Sequence, residues 1–315
     1  MLEQIESTPW LIPIAAFVQL FTPYLIPVVL AAMLERFFPR SAAPTRWARR
    51  GLRHVALLYV GGIWQRLFGL LPLVALWFGF LQPLEEHGLM NLVELPPPLH
   101  VALSVLAADF SEYAYHVLSH RVPLVWRFHR VHHTDPEVDA TTIYRAHFLE
   151  GPFRLLIRAP IMMALGTSFT GIMIYEVALT IVDPFLHANL RVPPWLDKAL
   201  HWTCITPNTH RLHHARDIYF TNSNYGILFP FWDRIFGTYR YREDVSQVPL
   251  GLDGFDAPHD QEMLSMLLSP LRPDPLPAPA SSIASEADHV PVSGTRGAGR
   301  ASQDPLPANA SGDRP

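Results

Sequence analysis

The chain has 315 residues, 49% of them hydrophobic, and a mean hydropathy of +0.14, enough apolar material for one sizeable membrane-embedded domain. A formal net charge of −4 is too mild to indicate a nucleic-acid partner. The single cysteine, Cys204, excludes both an internal disulfide framework and a cysteine-ligated iron–sulfur cluster within one chain, and is read as an ordinary buried thiol.

A helix needs roughly 20 apolar residues to cross a bilayer, and in chain order Trp10 to Met33 is the first expected span. It lacks a basic leader and runs past the length of a signal core, so it is expected to stay attached. A link with Arg36, Arg40, Arg46, Arg49, Arg50 and Arg53 follows. The second span, Val55 to Leu81, is interrupted by Gln65 and Arg66, so its lipid-buried part is expected to start nearer Phe68. The next link carries Glu85, Glu86 and Glu94 and no lysine or arginine, so the positive-inside rule places the arginine link in the cytoplasm. A third span, from Leu99 through Phe110 and beyond, returns to that side with His116 and His120, followed by His129, His132 and His133.

The last apolar stretch, Phe153 to Leu190, poses a topological problem. A single crossing between Pro160 and Val182 would strand His187, His210, His213 and His214 on the opposite side from the first triplet. Gly166, Thr167, Ser168 and Gly171 supply bend chemistry midway, so a helical hairpin near residues 155–186 is expected to dip in and return. From Pro270, near-alternating prolines and then Ser, Ala and Gly cannot bury enough apolar surface to offset chain entropy. The expected organisation is all-α: transmembrane helices and a basic link over residues 1–95, a histidine-bearing domain over 96–268, and a disordered tail over 269–315. Together these describe a multi-pass membrane protein with a cytoplasmic helical cap over a two-metal site.

The histidine spacing carries the chemistry. His116-x-x-x-His120 is followed by two copies of one pattern, His129-x-x-His132-His133 and His210-x-x-His213-His214. Helix positions i, i+3 and i+4 share a face, so each copy can aim three imidazoles inward. Eight nitrogen ligands exceed what one ion needs; imidazole suits zinc, copper, iron and nickel, catalytic zinc takes three protein ligands and a water, and two five- or six-coordinate metals fit better. Isolated histidines such as His54, His87, His100, His259 and His289 are ordinary surface or hydrogen-bonded residues by default. Eight clustered imidazoles without metal would bury many polar groups that need partners.

Asp109-Phe-Ser-Glu112-Tyr113-Ala-Tyr-His116-Val-Leu-Ser-His120, with Trp126-Arg-Phe-His129-Arg-Val-His132-His133, resembles the fatty acid hydroxylase and sterol desaturase superfamily. The likeness continues through Arg145-Ala-His147-Phe-Leu-Glu150, Phe185-Leu-His187-Ala-Asn189, Thr206-Pro207-Asn-Thr-His210-Arg-Leu-His213-His214, Asn224-Tyr225-Gly226 and Trp232-Asp233-Arg-Ile-Phe236-Gly237-Thr238, covering roughly residues 100–240. The resemblance implies an integral membrane, non-haem di-iron oxygenase that hydroxylates, desaturates or demethylates a lipid. It assigns ligand positions to His116, His120, His129, His132, His133, His210, His213 and His214, and His187 takes the extra position between the second and third boxes. The acyl 2-hydroxylase branch carries a further histidine where this chain has Arg191. His147 and Glu150 match an R-x-H-P-x-E connector in which Phe148 replaces proline. Together with Asp109, Glu112 and Asn189 they are candidates to orient imidazoles; helix capping and interface polarity are the structural alternatives. Trp232 to Thr238 reads as packing and turn structure.

The implied cofactors are two iron ions, with zinc as a substitute on purification, and the implied co-substrate is O2, with which hydroxylation and desaturation are both compatible. The chain carries no haem box, ferredoxin cysteines or nucleotide loop, so a separate reductase, ferredoxin or cytochrome b5-like donor is expected. It would dock on the arginine link or around Arg121, Arg127 and Arg130; topology determination and head-group contact are the alternatives for the link. Sterol, hopanoid, acyl, alkyl ether, carotenoid and aminolipid substrates all fit, and Met162, Met163 and Met173 are candidates for a flexible apolar wall. Rival classes fit less well. A zinc hydrolase would want H-E-x-x-H, which is absent; a transporter would place its ligands at mid-membrane; the one Glu-x-x-His pair, Glu286 to His289, lies in the tail. A non-catalytic scaffold would not need the full histidine complement.

Overall fold

A computed structural model of the chain describes residues 25–42, 47–64 and 87–273. Most of the first two expected spans and the tail beyond residue 273 lie outside the described residues. Among the described residues the architecture is helical, and β pairing is limited to two isolated bridges, Pro39 with Leu190 and Ala215 with Leu250. The helices used below are α1 (residues 25–37), α2 (Trp47–Trp64), α3 (Pro97–Arg121), α4 (Pro123–His133), α5 (Glu150–Leu165), α6 (Phe169–His187), α7 (Pro194–Leu200) and α8 (Pro207–His213).

Proline punctuation sets the frame of the histidine region. Prolines at the first positions of α3 follow an extended Pro96, where a missing N–H costs nothing. Val122 is extended, at φ −93 and ψ 111, because Pro123 disfavours helical geometry in the residue before it. The chain therefore breaks between α3 and α4, and α4 folds back against the end of α3. At the other end of the domain Thr206 and Thr209 form a reciprocal cap that starts α8.

The helices α5 and α6 join at Gly166, which is left-handed at φ 72 and ψ 45, a conformation that suits glycine at a helix end. The Ser168 side chain then caps α6, accepting from Gly171 N at 3.2 Å. Gly171 is where α6 meets α3: a Cβ there would collide with Ser104. Ala108 of α3, Met162 of α5 and Tyr175, Leu179 and Leu186 of α6 form the core that holds the three helices together.

Among the described residues α6 is the one helix long and apolar enough to cross a membrane, with a mean hydropathy of 1.5. The third expected span does not meet that test. The helix that contains it, α3, carries Ser104, Asp109, Ser111 and Glu112 on its buried side. The outer face of α6 exposes Phe169, Met173, Ile174, Val177 and Ile181.

The arginine link serves the interior rather than a surface alone. Arg50 is buried and paired with Asp135 at 2.6 Å and Asp139 at 2.7 Å. Arg40 donates to Leu190 O and to Asn208 Oδ1, and Arg53 donates to Gln261 O. Arg130, grouped above with a basic docking surface, is 0% exposed. It donates to the carbonyls of Ser269 and Arg272 and lies over the Phe255 ring. Cys204 is half-buried rather than enclosed, with its thiol on Leu200 O.

The packed domain accordingly runs past residue 268, the expected start of the tail: Ser269 and Pro270 are buried, and Arg272 pairs with Asp260 at 2.5 Å. Ending the chain after Pro273 is expected to leave thermal stability unchanged. Ending it after Leu268 removes carbonyl partners from a buried guanidinium and is expected to cost about 3–5 kcal/mol, read as a lowered unfolding temperature. Equal stability of the two truncations would exclude this role.

Candidate metal centre

All nine expected histidines converge, in two adjoining groups. One holds His116 and His120 from α3, His129 and His133 from α4, and His213 from α8; the other holds His132 from α4, His187 from the end of α6, and His210 and His214 from α8 and its cap. Within each group the candidate ligand atoms lie within 4.8 Å of one another. Each H-x-x-H-H copy contributes to both groups. His129 and His133, one full turn apart, serve the first, while His132 serves the second; in α8 His213 serves the first, while His210 and His214 serve the second. The groups meet where the His133 and His214 rings stack at 4.7 Å.

Backbone carbonyls fix the tautomers. His116 Nδ1 donates to Tyr225 O at 2.8 Å and His213 Nδ1 to Ser223 O at 2.7 Å, and His187 Nδ1 donates to Asp183 O at 2.9 Å. A carbonyl only accepts, so these Nδ1 atoms carry the proton and each Nε2 presents a lone pair. The Nε2 atoms of His116 and His213, Nδ1 of His133 and His210, and both ring nitrogens of His214 are buried without a hydrogen-bond partner. His187 Nε2 lies 2.9 Å from Nε2 of both His132 and His210. Convergent buried lone pairs are costly unless a cation satisfies them.

Electrostatics point the same way. Burial, reinforced by neighbouring imidazoles, pushes His132, His133, His210, His213 and His214 well below the ordinary histidine value of 6.5. They are neutral at physiological pH, the form that ligates a metal. An all-nitrogen donor set suits zinc, copper, iron or nickel, and five imidazoles in one group exceed the four ligands of tetrahedral zinc. The residues present therefore fit a pair of metal ions.

The surrounding side chains sort the expected orienting residues. Glu150 Oε1 accepts from His129 Nδ1 at 2.7 Å and from Tyr115 OH at 2.8 Å, so it backs an imidazole directly. His147 does not: its Nε2 donates to Leu267 O and its Nδ1 accepts from Leu149 N. Asp109 accepts from Trp232 Nε1 at 2.8 Å, and Glu112 is taken up by Arg154 and Arg158. Asn189 bonds Ser41, and its N–H donates to Glu35. The hydrogen bonds of these four go to groups other than the nine histidines. Asp183, unnoticed in the sequence, stands with Oδ1 3.1 Å from His187 Nδ1; its place one turn before that histidine was the available signal. Replacing Glu150 by glutamine is expected to weaken metal binding at the first group by about 10–100-fold, measured by competitive metal titration; unchanged affinity would remove Glu150 from the centre.

A cavity of about 260 Å³ adjoins the groups, with His116, His129, His132, His187 and His210 among its lining residues. It continues between α5 and α6.

Residues 101–238 match the family model described as Fatty acid hydroxylase, a span that contains all nine histidines. Alkylglycerol monooxygenase of Xenopus tropicalis is 31% identical over 154 residues, 47% of this chain and 33% of that protein. Ornithine lipid hydroxylase OlsE of Rhizobium tropici is 27% identical over 161 residues, 50% of this chain and 47% of that one. Cholesterol 25-hydroxylase of Mus musculus is 25% identical over 170 residues, 51% of each. The chain thus spans between a third and a half of the length of these curated relatives. No solved structure matches it. The histidine pattern, the family match and these relatives agree, and the domain over residues 101–238 belongs to the fatty acid hydroxylase superfamily.

Proposed function

We propose that the chain is a membrane-embedded, O2-dependent lipid hydroxylase that works with two iron ions, one in each histidine group, and takes electrons from a separate donor protein. The observation that carries the reading is the pair of adjoining groups of buried imidazoles, with tautomers fixed by carbonyls, beside a cavity. The names of the relatives, alkylglycerol monooxygenase, ornithine lipid hydroxylase and cholesterol 25-hydroxylase, support a lipid substrate. The apolar outer face of α6 supports a bilayer as its surroundings, and the arginine-rich link at residues 36–53 against the acidic one at 85–94 supports a cytoplasmic side for the histidines.

The two histidine groups would hold the iron, and the chemistry it would supply there is O2-dependent oxidation of an unactivated C–H bond, which no side chain can perform unaided. The chain's own residues supply the rest. Tyr225 O, Ser223 O, Asp183 and Glu150 hold four imidazoles in fixed orientation. Burial holds His116 and His213 below the ordinary histidine value and so favours their neutral, ligating form.

The test compares lipids from cells with and without the chain, under ordinary and 18O-labelled oxygen, and counts iron and zinc in the purified protein. One labelled oxygen in a lipid, with about two irons per chain, is expected. An unlabelled alkene would shift the reaction to desaturation. No O2-dependent lipid change, with zinc as the sole metal, would overturn the reading.

A further inference from the structure

We propose that the seam between α5 and α6 is a binding site for a lipid head group that donates hydrogen bonds, a hydroxyl or an ammonium. The carbon brought to the histidines then lies beside the polar end of the lipid rather than far along its chain. The inference rests on the lipid hydroxylase reading and adds the substrate class.

Glu176, Thr180, Asp183 and His187 recur at helical spacing on α6, so they form one polar stripe on the one described helix long and apolar enough to cross a membrane. The stripe runs between the buried edge of the helix, with Tyr175, Leu179 and Leu186, and its exposed edge, with Ile174, Val177 and Ile181. All four stripe residues line the cavity, which also reaches Tyr115, Glu150 and Arg154. His116 and His210 line it too, each at least nine-tenths buried and each with a ring nitrogen that has no partner. The cavity therefore runs from the imidazoles along the polar stripe of α6. Polar side chains on such a helix are expensive and are kept for function.

The chemistry of the lining selects the ligand. Arg154 spends Nε and Nη2 on Glu112, and Arg158 is engaged by Ser111, Glu112 and Glu176. These cations are already matched and do not offer an anion site. The acceptors are less fully used. Glu150 Oε2 has no partner, and Thr180 Oγ1 donates to Glu176 O while its own lone pairs remain. Glu176, Thr180 and Asp183 stand in a row with acceptor oxygens. With Glu112, Glu150, Glu176 and Asp183 against Arg154 in its lining, the cavity carries more carboxylates than cations; it favours a donor and rejects phosphate or carboxylate by like-charge repulsion.

The test uses the full chain in detergent, loaded with zinc so that no turnover occurs, and titrates it with octylglycerol ether, octylamine, octyl phosphate and octane while thermal unfolding is followed. Octylglycerol ether or octylamine should stabilise the protein, and octyl phosphate and octane should not; the better of the first two identifies a polyol or an ammonium head. Glu176→Gln and Thr180→Val should each weaken that binding by about tenfold, with zinc content unchanged. Equal binding of octane and the polar probes, or wild-type binding by both variants, would overturn the proposal. This readout is independent of O2. If the donor probes bind but cells show no O2-dependent lipid change, the hydroxylase reading fails and the head-group site stands. In the active protein the label should enter a carbon adjoining the head group, and a label at the far end of the chain would also overturn the proposal.

Discussion

Replacing His213 by alanine is expected to empty the five-histidine group and to lower lipid turnover by more than about 100-fold, the upper range for residues that only support a ligand. His213 is fully buried, its Nδ1 is committed to Ser223 O, and its Nε2 has no partner among protein atoms. Its removal subtracts one donor from the five that the group holds among the described residues. His210→Ala should do the same to the four-histidine group. His54→Ala is the control: that histidine is equally buried but is hydrogen-bonded to Thr141 Oγ1 at 2.8 Å and stands outside both groups. Iron per chain and labelled lipid product are the readouts. Normal iron and normal product in both His213→Ala and His210→Ala would dismiss the ligand assignment, whereas losses matched by His54→Ala would point to unfolding.

Arg50→Ala is expected to destabilise the fold by about 3–5 kcal/mol, because it takes from two buried carboxylates the guanidinium hydrogen-bonded to both. Arg50 ties α2 to the loop after the first H-x-x-H-H copy, through Asp135, Asp139 and Glu137 O. Arg49, one residue earlier, is mostly exposed and pairs with Glu262 at 3.4 Å; its loss should cost no more than about 1 kcal/mol. Thermal unfolding of the two variants side by side decides the matter, and equal losses would refute the assignment. The same pair predicts an acid limb. Burial alone would raise Asp135, but the guanidiniums of Arg50 and Arg145 outweigh it and hold the carboxyl below its ordinary 3.8. A carboxyl depressed in the folded state contributes stability that is complete above that ordinary value and is lost as pH falls toward the folded one. Arg50→Ala should therefore flatten the acid limb as well as lower stability at neutral pH.

The histidines were readable because their chemistry is written in side chains at helical spacing. Their grouping was not. A shared face for i, i+3 and i+4 is a good approximation for one ion, but His132 and His133 point far enough apart to serve different groups. The bend at Gly166 to Ser168 followed from residue types that favour turns, and the helices on either side followed from apolar runs. The carbonyls of Tyr225 and Ser223 could not be read, since every residue has one and only the fold chooses which faces an imidazole. The arginine link was read as a cytoplasmic topology signal and a donor-docking surface because charge alone does not reveal that Asp135 and Asp139, about ninety residues on, return to meet Arg50. Asp109 and Glu112 stand near the histidines in sequence, but Trp232 and Arg154 compete for them in space.

The split of each H-x-x-H-H turn between the two groups links their occupancies. A cation bound by His129, His133 and His213 would also immobilise the helical turns that bear His132, His210 and His214. Whatever displaces one of these turns therefore disturbs both groups at once.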